Sequence, residues 1–512
     1  MEKYIVDNIK KTLRREFSYI SAYLLATSFG ITICMVDNPS FAASSSCNQR
    51  IINTSKKLQE CMTIEGLVSH LKAFQEQANA NKEVPETRFI GTSGYDGSRD
   101  YVVKKLTEAG YTVTLQNVPV AINYVTTPRV FEQKFPAQKV YADNIDYAPL
   151  VNSGVGDITG KVQVPSGNIL GCNTDDFIGF NAGNIALVQH GGMCSGRDKV
   201  VNAVAAGAKA IIIFNSIPGI FFAALAASSP SKTTPVVFAS QEVGNELKTQ
   251  VQTGTLPVVH IKFDALKTFT NSQNIIADSS TGNPDHVVIA GAHLDSSAGN
   301  AGMNDNASAA ATILETALLM KNTKPANKLR FAWWTGEEEG LIGSTYYISH
   351  LDAKEKAKIS LYLNYEILGA PNGGRMIMGA ADGVTPPGSE KIVKLYTDYF
   401  NSQNLKSYVF DPKMANAVAR SDMFAFMQAG IPVGYLVSGA EVPWNPLLTA
   451  IFTDLPKRIE GLATHPCYHK LCDKLTLIEG EMKDPNFDFD LYLQMSKAAA
   501  YAIYTYSMNT NI

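Results

Sequence analysis

Five separated segments each bring a histidine or a carboxylate to the end of, or into a turn beside, a stretch of apolar residues. They read His293-Leu294-Asp295, Asn304-Asp305-Asn306, Glu337-Glu338-Glu339, Asn364-Tyr365-Glu366 and Tyr468-His469. Histidine is a good zinc ligand, and an aspartate two residues on can orient its second ring nitrogen. Taken singly, each segment has an ordinary reading. Glu337–Glu339 would serve as a charged turn after a strand, and Asp305 as the cap of the helix that follows it. Taken together, two imidazoles and several carboxylates with no thiolate suit a pair of zinc ions. Such ions sit about 3.5–4 Å apart and share a carboxylate and a water. One glutamate of the run would then bind metal, a neighbour would take a proton from that water, and the third would be solvated.

These groups need a scaffold that ends its strands at one place. HVVIAGAHLDS, KLRFAWWTGEEEG, ISLYLNYEILG and IPVGYLVSG are near-continuous apolar runs that finish in polar residues, with helical patterns such as NASAAATILETALLMKN between them. Strands buried on both faces read this way. They predict an α/β fold with a mostly parallel-core mixed sheet and helices on both faces. In such sheets functional groups gather beyond the carboxyl ends of the strands. Upstream, residues 47–71 read as helix, 91–111 as a turn, an amphipathic helix and a glycine stop, and 112–120 as an alternating strand. From about 137 to 266 the texture changes to short β-rich runs, DITGKVQVPSG, GNIALVQHGG, AKAIIIFN and TPVVFAS, with one helix, DKVVNAVAAGA. Few charges and no clustered ligands mark this stretch as a small non-catalytic insert, in which His190 and His260 read as structural.

The 512-residue chain has a net charge of −3 and scattered lysines, which gives a nucleic-acid partner no support. Its N-terminus has the layout of a secretory signal peptide. Lys3, Lys10, Lys11, Arg14 and Arg15 precede an uncharged run from Phe17 to Val36, and Ser40-Phe41-Ala42 offers a cleavage site. A retained anchor is the competing reading, weakened by the many Ser, Thr and Tyr residues in the run. Outside that segment the cysteines form an even set, as exported disulfide proteins do. The expected pairs are Cys47–Cys61, Cys172–Cys194 and Cys467–Cys472.

GAHLDS (291–296), GMNDNASA (302–309), WTGEEEGLIGS (334–344), NYEILGAPN (364–372), RSDMFAFMQAGIP (420–432) and CYHKLCD (467–473) together resemble the secreted di-zinc aminopeptidases of the leucyl aminopeptidase and aminopeptidase Y group. The stretch from Gly183 to Asn215 resembles the protease-associated (PA) domain inserted in some of them, which implies a lid or recruitment role. The resemblance implies two Zn2+ per chain, one on His293 and Glu366, the other on Glu338 and His469, with Asp305 bridging. It implies Glu337 as general base, Tyr468 as hydrogen-bond donor to the oxyanion, Asp295 beside His293, and Arg420 on the substrate side. The family usually has aspartate where this chain has Glu366, and a bulkier polar or aromatic residue where it has Met423, a change expected to reshape the specificity pocket. The expected division is a signal peptide at 1–42, an N-terminal part of the peptidase domain at 43–136, the insert at 137–268 and the catalytic domain at 269–512. The expected protein is a secreted monomer that acts on peptides with a free N-terminus and has no stable membrane partner after signal cleavage. A glutaminyl cyclase or carboxypeptidase on the same fold is the alternative, and a non-catalytic binding protein a more distant one.

Overall fold

A computed structural model describes Cys47 and residues 50–192, 194–220, 233–413, 420–478 and 481–510. The expected signal peptide lies outside these residues. The chain falls into two units, Met1–Gln49 and Arg50–Ile512, and everything below except Cys47 concerns the second.

The half expected to be catalytic is built on a mixed sheet whose strands, counted in chain order within it, are β1 (Thr112–Val125), β2 (Leu266–Asp278), β3 (Asn283–His293), β4 (Asn327–Trp334), β5 (Ile359–Glu366), β6 (Met376–Met378), β7 (Tyr408–Phe410) and β8 (Val433–Val437). Their spatial order is β1-β2-β4-β3-β5-β8-β6-β7. The central four, β4-β3-β5-β8, are parallel, and antiparallel pairings flank them at β2/β4 and β8/β6. The last seven residues of β3 are buried, as a strand covered on both faces requires.

The paired tryptophans of β4 show both covers. Trp333 donates from its indole N–H to the carbonyl of Ala310, on the helix Ala309–Met320, at 3.1 Å. Trp334 points the opposite way. It donates to the Tyr362 hydroxyl at 2.8 Å and packs on Tyr347 and Phe426, from the helices Ile342–Ser349 and Met423–Gln428. Successive strand residues face opposite sides of a sheet, so the two rings anchor one helical layer each. Truncating a fully buried ring of this size typically costs about 3–5 kcal/mol.

The second sheet is the insert. Its order is Lys139–Val140, Arg129–Phe135, Val258–Phe263, Gly156–Gln163, Ile185–Gln189, Ala210–Phe214, Val236–Ala239, Tyr147–Pro149. It has its own apolar clusters, one around Leu187, Ile212 and Leu247, another around Val188, Ile211 and Val200. A boundary at 137 separates Arg129–Phe135 from its partner Lys139–Val140, so the insert sheet begins at Arg129. The stretch 136–138 is the turn between those two strands. The insert hangs from the ribbon of β1 and β2, which pair from Thr112↔Asp278 out to Val125↔Leu266.

Cys172–Cys194 and Cys467–Cys472 are disulfides, and Cys47 and Cys61 are disulfide-bonded as well. The helix expected over 47–71 is two helices, Ser55–Cys61 and Ile64–Asn79. The first has Thr54 as its N-cap and the second Thr63. Among the described residues no helix is long and apolar enough to cross a membrane.

Candidate metal centre

His293 is the last residue of β3, and Glu366 is the last of β5. Gly291 pairs with Asn364, so both side chains leave the sheet at the same level. The Nδ1 of His293 faces the main-chain carbonyl of Asp295 at 3.2 Å, which fixes the proton there and turns Nε2 toward the centre. That Nε2 lies 3.2 Å from Asp305 Oδ1, 3.5 Å from Glu366 Oε1 and 3.9 Å from Glu337 Oε2.

The carboxylate of Asp295 has a second task beside the expected one. It stands 3.7 Å from Nδ1 of the ring and also accepts the backbone N–H groups of Glu337 and Glu338, at 3.3 Å each. One buried side chain thereby ties the exit of β3 to the glutamate turn after β4.

In that turn Gly336 has φ +67°, a left-handed conformation that a side chain would resist. The chain then folds back tightly, with the N–H of Ile342 on the carbonyl of Gly336 at 2.9 Å. Glu338 Oε2 reaches 2.9 Å from His469 Nε2, while Glu337 faces His293. Neighbouring glutamates thus address different imidazoles. Glu339 is not solvated, as expected of it, but is only 1% exposed. Burial, reinforced by the nearby charges of Asp295 and Glu338, pushes its carboxyl well above the ordinary range.

Asp305 sits in an irregular helical turn, Met303–Ser308, ahead of the regular helix, with extended dihedrals and a cis peptide to Asn306. Its oxygens are divided: Oδ1 is 3.2 Å from His293 Nε2 and Oδ2 3.2 Å from His469 Nε2. It is therefore no helix cap. Burial opposes its ionisation, but the two facing imidazoles hold its pKa well below the carboxylate range. Both histidines are raised well above their usual value; burial opposes this, and Glu337 at His293 and Glu338 at His469 outweigh it.

His469 and Tyr468 lie within the Cys467–Cys472 loop, with their rings stacked at 3.9 Å. The Tyr468 hydroxyl accepts from Arg420 at 3.3 Å, and Arg420 is also paired with Glu441. Met423 does not reach the pocket; it is fully buried in the core with Tyr362 and Phe426, because its short helix packs inward.

Two supporting residues escaped the sequence reading. Arg88 is fully buried. Its guanidinium donates to the carbonyls of Leu294, Ala301 and Gly302, fastening the His293 loop to the Asp305 loop. Asp473 is fully buried behind Asp305. A lone arginine in RFIGTSG carries no signal for such a role, whereas Asp473 closes the CYHKLCD motif.

The donors fit metal ions. Two groups of three, His293-Asp305-Glu366 and Asp305-Glu338-His469, have ligand atoms within 4.8 Å of one another. Tetrahedral zinc with bonds of about 2.0–2.1 Å separates its ligand atoms by roughly 3.3 Å. The separations from His293 and His469 to their ligand partners run from 2.9 to 3.5 Å. The His293 Nε2 and Glu338 Oε1 atoms are buried with no hydrogen-bond partner among the described residues. Carboxylates crowded at low dielectric call for cations. Beside them opens a cavity of about 240 Å³, lined by Asp305, Glu337 and Glu366 and by the apolar walls of Met376, Tyr408, Phe410, Tyr435, Val437 and Leu448.

Residues 274–490 match the model of peptidase family M28, and 149–247 that of the PA domain. An aminopeptidase of Pseudomonas aeruginosa is 34% identical over 467 residues, spanning 88% of this chain and 83% of its own. The chain belongs to peptidase family M28. It is a metallo-exopeptidase and therefore a hydrolase. Aminopeptidase Y of Saccharomyces cerevisiae is 29% identical over 471 residues, 88% of this M28 chain and 80% of its own. Two solved structures share the fold. An aminopeptidase from Aneurinibacillus sp. strain AM-1 has a TM-score of 0.65 at 22% identity, covering 89% of this chain and 96% of its own. A zinc aminopeptidase from Bacillus subtilis has 0.61 at 21%, covering 88% and 97%.

Proposed function

We propose that this M28 peptidase is an exported, monomeric, two-zinc aminopeptidase that removes apolar, leucine-like residues from peptide N-termini. The observation that carries this reading is the division of Asp305 between two imidazoles that belong to separate ligand sets, with Glu337 beside them. His293 and Glu366 would hold one zinc, Glu338 and His469 the other, and Asp305 both. Bound there, the ions supply a lowered pKa for a shared water and polarisation of the scissile carbonyl.

This chain's residues do the rest. Glu337 takes the proton of the attacking water and returns it to the leaving amine. Tyr468 accepts from Arg420, so its own proton remains available to a developing oxyanion, a contribution of about 3–4 kcal/mol for one such donor. The acidic end of the cavity attracts the substrate's free ammonium group, and its apolar walls receive the first side chain. Export rests on the charged and apolar pattern of residues 1–42.

The test is hydrolysis of leucyl-p-nitroanilide by the mature protein, with the N-acetylated substrate and a metal assay alongside. Two zinc per chain, with cleavage lost on chelation and on acetylation, is the expected result. Full metal with no cleavage of any free-amine substrate would overturn the reading and direct attention to cyclisation of N-terminal glutamine.

A further inference from the structure

Glu366, the carboxylate that ends β5, has a hydrogen-bond partner on the neighbouring strand. Replacing aspartate by glutamate at a metal site extends the side chain by about 1.5 Å and adds a rotatable bond. Metal coordination tolerates errors of only a few tenths of an ångström, so a longer ligand needs something to fix it. Tyr435 lies on β8, the parallel neighbour of β5, and pairs in register with Asn364. Its ring is buried and forms part of the cavity wall. The phenol donates a hydrogen bond to Oε2 of Glu366, leaving Oε1 directed at the site, 3.5 Å from His293 Nε2.

We propose that Tyr435 is a positioning residue for the metal: by capping one oxygen of Glu366, it fixes the lengthened carboxylate as a one-oxygen ligand beside His293 and Asp305. The methylene and the phenol act as a pair. An aspartate at 366 would end short of the hydroxyl, and a phenylalanine at 435 would free Glu366 to swing or to offer both oxygens. The inference rests on the zinc reading above.

The experiment is a zinc titration of chelator-stripped protein against a chromophoric competitor, comparing wild type, Tyr435→Phe, Glu366→Asp and the double variant. Loss of a hydrogen-bond partner behind a metal ligand typically weakens affinity 10–100-fold. Tyr435→Phe is expected to do this at one site and leave the other within twofold. In the Glu366→Asp background the same change is expected to have little further effect. Unchanged affinity in Tyr435→Phe, or an equal loss in both backgrounds, overturns the pairing while wild-type zinc binding keeps the metal reading intact. If wild type binds no zinc, both fail. If Tyr435→Phe does not fold, Glu366→Asp alone decides: at least tenfold weaker binding at one site supports the proposal, and wild-type affinity overturns it.

Discussion

The two carboxylate oxygens of Asp473 accept successive backbone N–H groups, that of Asn304 at 2.7 Å and that of Asp305 at 3.1 Å. Asn486 adds a side-chain donor to Oδ1 at 2.7 Å. An acidic group one residue beyond Cys472 therefore holds the main chain of the residue that faces both histidines. In Asp473→Asn the amide would present a donor to one of those N–H groups. An unpaired buried donor costs about 1–3 kcal/mol, so the denaturation midpoint should fall accordingly. Peptidase activity should fall with it even where the protein is fully folded. Unchanged activity at full folding would assign Asp473 a purely structural role.

Glu337→Gln removes the proposed base while preserving shape. A general base contributes roughly 10²–10⁴-fold, and kcat should drop by that factor with zinc content unchanged. In Glu338→Gln, by contrast, zinc content itself should drop. The two variants, measured side by side for metal and rate, separate neighbouring residues that composition cannot tell apart.

Arg88→Met keeps the apolar stem and removes the fork that binds Leu294, Ala301 and Gly302. A buried carbonyl left without its donor costs about 1–3 kcal/mol. Urea denaturation should register a loss of that order. Burial holds the guanidinium pKa down to about 10, partly offset by Asp295 and Asp473, so it stays charged across the physiological range.

His260 gives the insert a pH dependence of definite sign. Its ring nitrogens lie 2.9 Å from Glu132 and 2.8 Å from Asp157, on the two strands that flank its own. Partial burial lowers its pKa, but the two carboxylates outweigh this and the net shift is upward. Lys134 touches the Glu132 carboxylate and Lys262 that of Asp157, and Asp264 and Asp157 raise the pKa of Lys262. The stabilisation is therefore fully present below about pH 6.5, the unfolded value, and is lost as pH rises through the folded one. Amide exchange in Arg129–Phe135 and Val258–Phe263 should quicken relative to His260→Gln as pH rises, after correction for intrinsic rates. A difference between the two proteins that does not change with pH would count against this.

Strand ends were legible because chemistry and hydropathy change together there: His293 and Glu366 each close an apolar run, and the sheet rule says where such residues meet. Glu339 was not legible. Three successive glutamates look solvated, and only the turn permitted by Gly336 brings the third inside. Arg88 and Tyr435 were hidden for a different reason. Arg88 meets carbonyls more than 200 residues away, and Tyr435 acts across a strand pairing that no local pattern encodes. Asp295 was recognised, but its hydrogen bonds run to a turn that sequence places 42 residues downstream.

The pairing of Val125 with Leu266 continues one step farther, where Thr126 donates to the carbonyl of Ala265 at 3.1 Å. The ends of the inserted stretch are thus already as close as the two arms of a β-hairpin, whose paired Cα atoms lie about 4.5–5.5 Å apart. In topological terms the whole second sheet is an overgrown hairpin loop. A two-residue Asn-Gly turn joining Val125 to Leu266 would close the ribbon without shifting its register. The site at the far ends of β3 and β5 takes all its proposed ligands from outside that loop. The chain therefore enters and leaves the insert at one pair of residues, while Asn152, bonded both ways to Asn123, and Val151, packed with Val118, Ile122 and Phe269, seat the insert against the ribbon it grows from.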